Sequence, residues 1–329
     1  MLKFILRRIL IMIPTVLIIS AIVFWVIQLP PGDYMTTYIS SMEASGESFT
    51  METIEQMRKD YGLDQPWYVQ YYKWITNILF KGDFGYSFMY SRPVTYLVAE
   101  RMPTTLAVSI TTMLFTYIVS IPIGIYSAVK QYSIGDYVAT TIGFLGMATP
   151  NFLLAIILMF LSLKFFGNPL LGLFSKEFVN AAWSWAKFAD MMKHMIIPII
   201  VIGTANTCGL IRIMRGQMLD ELDQQYVITA RAKGLSERRI LWKYCVHAAL
   251  NPIASSIGWS LTTIFTGSTI SAIVMNLPTQ GPMLQKALLN QDMYLAGSWL
   301  LLMAVLTVIG TLLSDILLAW LDPRIRLSK

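Results

Sequence analysis

The chain has 329 residues, 55% of them hydrophobic and 13% charged, with 25 Lys and Arg against 19 Asp and Glu. Soluble domains carry about 25% charged residues, so too little polar surface is available to cover this chain in water, which speaks against a soluble enzyme, a disulfide scaffold and intrinsic disorder. The net charge of +6 does not point to nucleic acid either, because the basic residues stand beside the ends of apolar runs and form no basic-aromatic stripe.

Six apolar runs read as membrane spans: roughly Ile9–Leu29, Thr104–Val129, Tyr137–Leu163, Met195–Ile211, Leu250–Met275 and Gly297–Ala319. The expected fold class is an all-α polytopic membrane protein. No small-residue cleavage motif ends the first run, and Leu29-Pro30-Pro31-Gly32 reads as a helix exit, so it is expected to remain as an uncleaved span. Lys3, Arg7 and Arg8 before it place the N-terminus in the cytoplasm; Arg324, Arg326 and Lys329 place the C-terminus on the same side. The segment 212–247, with seven Lys and Arg, falls there too.

The connection from Pro30 to Pro103 holds nine acidic and six basic residues and is expected outside. Thr50 can cap a helix with Glu52 and Glu55 early and Arg58 and Lys59 late, stopped by Gly62. A second helix, starting near Asp64 and Pro66, sets Trp67, Tyr71, Trp74 and Ile78 on one stripe, expected to lie in the outer membrane interface as an anchor or as a platform for delivered solute. Trp183 and Trp185 are expected as interface belt residues. Pro14, Pro103, Pro122, Pro150, Pro198 and Pro252 fall in or beside the spans, where each removes a backbone hydrogen bond and is expected to bend its helix.

The interiors of spans two to five, and of the sixth to Ser314, carry no Asp, Glu, Lys, Arg or His. Proton-coupled carriers need ionisable groups at membrane depth, so that class is disfavoured, while sodium sites built from carbonyls and hydroxyls stay open. Neither G-x-x-x-x-G-K-[ST] nor G-x-G-x-x-G occurs, nor G-x-S-x-G or H-E-x-x-H. Cys208, Cys245, His194 and His247 show no ligand spacing. No catalytic, cofactor-binding or metal-binding residue is therefore expected in this chain, and any work it does must be powered by another subunit.

The segment Met218–Leu250 reads as helix, turn, helix. Its centre is Thr229-Ala230-Arg231-Ala232-Lys233-Gly234-Leu235-Ser236. The small residues allow close approach of another surface, Gly234 can end a helix in the left-handed conformation, and Ser236 can cap the next. Arg231, Lys233, Arg238 and Arg239 are expected to ring the elbow with donors. Such an elbow could carry motion from a docked motor; alternatively it is a solvated loop whose charge serves topology alone.

This elbow, followed by Ala248-Ala-Leu-Asn-Pro252, resembles the EAA-loop region of ABC importer permeases, and more narrowly the dipeptide/oligopeptide-type branch. The likeness extends along the chain through Phe4-Ile-Leu-Arg-Arg-Ile9, Pro31-Gly32-Asp33, Gly62-Leu-Asp-Gln-Pro66, Val69-Gln-Tyr71, Gly82-Asp-Phe-Gly-Tyr-Ser87, Arg92-Pro-Val94, Glu100-Arg-Met-Pro103 and Leu321-Asp-Pro-Arg-Ile-Arg-Leu327. It implies a type I permease of six helices with an extracytoplasmic helical insertion between the first two, in a prokaryotic cytoplasmic membrane. It divides the chain into 1–29, 30–103 and a core of 104–329, with a coupling segment at 212–249. It also implies a second homologous permease subunit, two ATP-binding subunits holding ATP and magnesium, and an extracytoplasmic solute-binding protein. Thr229–Ser236 would be the coupling helix seated in an ATPase groove.

Two regions depart from the pattern. Ile228 and Thr229 stand where the general family has Glu and Ala, and the stretch Ser271–Pro282 keeps Pro278 and Gly281 but has no acid. An uncharged entrance leaves oligosaccharide beside oligopeptide as the expected cargo. The competing classes are an autonomous carrier or channel, which would move solute without ATPase subunits, and an intramembrane enzyme, which would need a catalytic dyad at depth.

Overall fold

The computed structural model describes residues 2–30, 39, 59, 64–167, 170–267 and 269–321. The expected helix capped by Thr50, and the basic residues Arg324, Arg326 and Lys329, lie outside them. The described chain runs through α1 (Leu2–Ile27), α2 (Trp67–Lys81), a short antiparallel hairpin of β1 (Tyr86–Ser87) and β2 (Arg92–Pro93), α3 (Val94–Val129), α4 (Ile134–Ala148), α5 (Asn151–Phe166) and α6 (Trp185–Leu222). It continues with α7 (Gln225–Ala232), α8 (Glu237–Ile240), a π-helical turn (Leu241–Cys245), α9 (Val246–Gly267), α10 (Thr269–Val274), α11 (Gln280–Leu289) and α12 (Met293–Leu321).

Among the described residues four helices are long and apolar enough to cross a membrane: α1, α3, α6 and α12. A fifth crossing is reached if α4 and α5 count as one. The sequence predicts a single span over Tyr137–Leu163; instead that stretch breaks between α4 and α5, with a bend of 104°. The cause is Pro150. It has no N–H to continue the ladder, and it drives Thr149 out of the helical region, to φ −83 and ψ 121. The expected fifth span, Leu250–Met275, is divided between α9 and α10. By contrast α1 continues through Pro14, α3 through Pro103 and Pro122, α6 through Pro198 and α9 through Pro252. With 36 and 38 residues, α3 and α6 are about 54 and 57 Å long, well beyond a hydrocarbon core of about 30 Å.

The described chain forms two compact units, which divide α1, α3 and α12 between them. In the unit of residues 9–105 and 279–308, most of the expected aromatic stripe of α2 is turned toward other helices. Tyr71, Trp74 and Ile78 pack on Val16, Phe24 and Ile27 of α1 and on Met293 and Leu301 of α12. The Phe24 and Trp74 rings lie 5.2 Å apart, Ser20 Oγ meets Tyr71 OH at 2.8 Å, and Trp74 Nε1 donates to Phe84 O at 3.1 Å. An aromatic stripe at helical spacing finds ring partners on the first span, and its polar tips find acceptors there and in the chain following α2. The exposed face of α2 carries Trp67, the first residue of the stripe, with Tyr68, Tyr72, Leu79 and Phe80.

In the unit of residues 1–8, 106–278 and 309–329, two apolar clusters form. One joins α3, α5, α6, α9 and α10 through Val108, Ala155, Met195, Val201, Ile264 and Ala272. The other joins α3, α6, α7 and the start of α9. In the same unit Arg8 Nη2 is 3.1 Å from Asp315 Oδ1, pairing the first turns of α1 with α12.

Candidate functional site

The elbow expected from sequence is built as an interrupted helix on top of α6. Asp223 ends α6, α7 runs to Ala232, and Gly234 follows with φ 74. The Leu235 N–H donates to Ala230 O at 3.2 Å and the Gly234 N–H to Arg231 O at 2.9 Å. This crossed pair satisfies the last carbonyls of α7 and needs a left-handed residue between its two bonds, which only Gly supplies without strain. Ser236 then precedes α8 with extended backbone, as its expected capping position requires, but its side chain makes no cap bond. Its carbonyl accepts from Arg239 and Ile240 at 2.9 and 3.0 Å.

The elbow has a buried underside and an exposed top. Val227, Ala230 and Ile240 are buried against Met214 and Met218 of α6 and against Cys245, Val246, Ala249 and Ile253, with Leu235 packed on the same cluster. Of the eight residues singled out, Thr229, Arg231, Ala232, Lys233, Gly234 and Ser236 face outward, Leu235 is half-buried and Ala230 is inside. Arg231, one of the donors expected around the elbow, has a partner within it. Its Nε is 2.8 Å and its Nη2 3.3 Å from the Glu237 carboxylate, so it bridges the turn at Gly234. At its exposed position this pair contributes orientation more than stability.

Sequence reading missed the apolar part of this surface. Tyr226 and Ile228 are 40% and 51% exposed beside Thr229, and Trp242 is 57% exposed on the π turn. The Tyr226 hydroxyl donates to the Glu221 carboxylate. Burial and that carboxylate hold the phenol well above its ordinary value, so it stays a donor. Burial likewise pushes the Cys245 thiol up, which marks it as a packing residue and not a reactive one. The π turn has no signature in the sequence.

Three polar constellations were also unforeseen. Asp136 of α4 receives Nε and Nη2 of Arg215, both at 3.0 Å. Asp292 receives Ser87 Oγ at 2.6 Å and the Met89 N–H at 3.1 Å. Asp190 accepts from Ser175 N and Oγ at 2.7 and 2.6 Å, while His194 Nε2 meets the same Ser175 Oγ at 3.2 Å. The i, i+4 spacing of Asp190 and His194 was the one available signal for the last. No group of three or more His, Cys, Asp or Glu among the described residues could hold a metal ion.

Against known proteins, a family model described as "Binding-protein-dependent transport system inner membrane component" matches residues 120–327, and the N-terminal model "Binding-prot-dependent transport system membrane comp, N-term" matches residues 1–109. The chain belongs to this permease family. It is therefore an integral membrane component of a binding-protein-dependent transport system. The permease is 36% identical over 327 residues to the oligopeptide transport system permease protein AppB of Bacillus subtilis, covering 99% of each chain. It is 32% identical to the oligopeptide permease OppB of Haemophilus influenzae, over 99% of this chain and 100% of that one. The dipeptide permease DppB of Escherichia coli K12 is 31% identical over the whole of both chains. Among solved structures, an inward-facing MetNI methionine ABC transporter chain superposes with a TM-score of 0.51 at 14% identity, covering 69% of this chain and 97% of that one; that likeness concerns the fold.

Proposed function

We propose that this permease forms half of the transmembrane pathway of an ATP-driven peptide importer in a prokaryotic cytoplasmic membrane. The observation that carries the reading is end-to-end similarity to oligopeptide and dipeptide permeases, which favours peptide over the oligosaccharide that an acid-free Ser271–Pro282 leaves open. In this reading the chain crosses six times with both termini inside, the α4–α5 pair and α9–α10 each making one crossing. Residues 30–103 form the outer insertion between 1–29 and the core of 104–329.

Energy enters through the elbow. ATP and magnesium are held by two partner ATPases, and this chain performs no hydrolysis itself. Thr229, Ala232 and Gly234, with Tyr226 and Ile228 beside them, present a small-residue and apolar top that fits a groove on an ATPase. Ala230, Leu235, Val227 and Ile240 underneath fasten that top to α6 and α9. A push on it is thereby delivered to two long helices and not dissipated in a loop. The second permease completes the pathway, and an outer binding protein delivers the solute.

The test is reconstitution of the permease with its partner permease, two ATPase subunits and the binding protein in liposomes containing ATP. Uptake of labelled oligopeptide dependent on both ATP and the binding protein is the expected result. Uptake by the purified permease alone would overturn the reading in favour of an autonomous carrier, and uptake of oligosaccharide but not peptide would overturn the cargo.

A further inference from the structure

The elbow's support reaches sideways as well as along α6. Arg215 lies two turns before the end of α6, and its guanidinium grips both oxygens of Asp136, the carboxylate in the first turn of α4. Asp136 is 3% exposed. Its Oδ2 also accepts the Tyr132 N–H at 3.0 Å, so the α3–α4 turn is tied into the same contact. Two near-contacts of glycine reinforce it. A methyl group on Gly124 of α3 would stand 2.6 Å from Met214 Cβ, and one on Gly135 2.6 Å from the Tyr126 ring. Met214, with Met218, also belongs to the cluster that seats Val227 and Ala230 of the elbow. Farther along, a methyl on Gly146 of α4 would lie 2.7 Å from Thr204 Cγ2 and 2.8 Å from Cys208 Sγ of α6. Beyond Gly146 comes the Thr149–Pro150 break.

We infer that Asp136 is a positioning residue that, through Arg215, makes α4 travel with the coupling elbow as one body, the chain yielding at Thr149–Pro150. The inference rests on the elbow being the point where force enters. The two-point fork matters because one shared hydrogen bond leaves a hinge, whereas two parallel bonds between planar groups fix orientation. Packing at Gly124, Gly135 and Gly146 sets the separation of the helices; the ion pair sets their register and rotation. The sequence could not indicate this, since Asp136 precedes the expected third span and Arg215 falls among basic residues whose charge topology alone explains.

The test uses the full assembled importer in liposomes, with spin labels on V138C of α4 and K243C of the π turn, both exposed, and with the buried native Cys208 and Cys245 as an unlabelled control. Through the ATP cycle the wild-type distance is expected to change by less than about 2 Å, within the small adjustments of packed helices. The D136N variant keeps an oxygen for the Tyr132 N–H but loses the charge and the second acceptor for Arg215. In it the distance is expected to broaden or shift by about 5 Å, the scale of a one-turn slip, and peptide moved per ATP hydrolysed is expected to fall about tenfold or more while basal ATP hydrolysis persists. R215K, which retains charge without the fork, is expected to fall between the two.

A wild-type distance that changes by about 5 Å during turnover overturns the inference, as does a D136N distance distribution and transport ratio equal to wild type. Failure of the importer reading registers separately, as absence of ATP-dependent uptake by the wild type. The same label pair measured on the nucleotide-free permease then still decides whether Asp136 holds α4 to the elbow.

Discussion

Gly258 and Gly310 bring α9 and α12 together backbone to backbone. A methyl group on Gly258 would stand 2.5 Å from the Gly310 carbonyl carbon, and one on Gly310 2.9 Å from Gly258 Cα. At the same crossing the Gly258 N–H donates to Ser314 Oγ at 2.8 Å. Lipid offers helices no hydrophobic reason to associate, so close backbone approach and interhelical hydrogen bonds do that work. Gly258→Val is expected to destabilise the permease by about 1–3 kcal/mol through overpacking. Ser314→Ala, which removes one hydrogen bond, is expected to cost about 0.6 kcal/mol. Thermal unfolding in detergent measures both, and a Gly258→Val melting temperature equal to wild type would mean that the crossing can open at no cost.

Gly234 separates backbone geometry from surface contact. Its φ is 74, and a Cβ there would meet nothing within 4 Å, so any effect of substitution inside the chain is conformational. Gly234→Val is expected to cost about 1–2 kcal/mol at the elbow and to abolish binding-protein-stimulated ATP hydrolysis while leaving membrane insertion intact. Gly234→Asn, whose side chain tolerates the left-handed region, is expected to retain most of that stimulation. Unchanged stimulation in the valine variant would remove the elbow from the coupling path; equal loss in both variants would point to a contact that has no room for any side chain.

Asp292 carries a pH signature. Its carboxyl is fully buried, caps α12 through the Leu295 N–H at 3.3 Å, and holds the hairpin through Ser87 and Met89. Burial raises it above its ordinary value of 3.8, against the pull of the Ser87 and Met89 hydrogen bonds. The folded protein therefore binds this proton more tightly than the unfolded chain, and stability falls as pH rises from 3.8 through the folded value. D292N keeps an acceptor for Ser87 but has no proton to release. The wild-type minus D292N difference in melting temperature is expected to decline with rising pH across that window and to be flat above it. A flat difference throughout would refute the raised carboxyl.

Lys187 fastens the connection between α5 and α6. Its Nζ donates to Ala181 O at 2.6 Å and lies 4.9 Å from the Phe174 ring and 5.6 Å from that of Trp183. Lys187→Met retains much of the apolar stem but loses the charge and the carbonyl contact, and cation–π pairs of this kind contribute about 0.5–2 kcal/mol. Amide hydrogen exchange over residues 176–184 is expected to accelerate about tenfold or more, with exchange in α9 unaffected. Equal rates would show that Asp190 and Ser175 hold the connection unaided.

What the sequence revealed, and what it concealed, follows from the range of the interactions involved. The glycine at 234 and the serine at 236 announce an elbow because helix termination is decided by a few consecutive residues. The motif Gly82–Ser87 was visible too, but its fastening to Asp292, two hundred residues on, was not. Pro150 illustrates the middle case. Six prolines near spans look alike in sequence; five are carried inside continuous helices, and one stands at a helix break with Thr149 before it in extended backbone.

By itself the sequence determined that this protein lives in lipid, that its later apolar runs, to Ser314 in the last, hold no ionisable residue, and where its elbow turns. Each of these depends on composition or on residues within one helical turn of each other. Only the tertiary structure decided that Tyr71 and Trp74 of the α2 stripe pack on Phe24, that Arg215 meets Asp136, and that Gly258 meets Gly310. An apolar or small residue reads the same whether its neighbour is a lipid tail or another helix, and a charge beside a span reads the same whether it sets topology or grips a carboxylate. The folded chain distinguishes these cases because it specifies the partner.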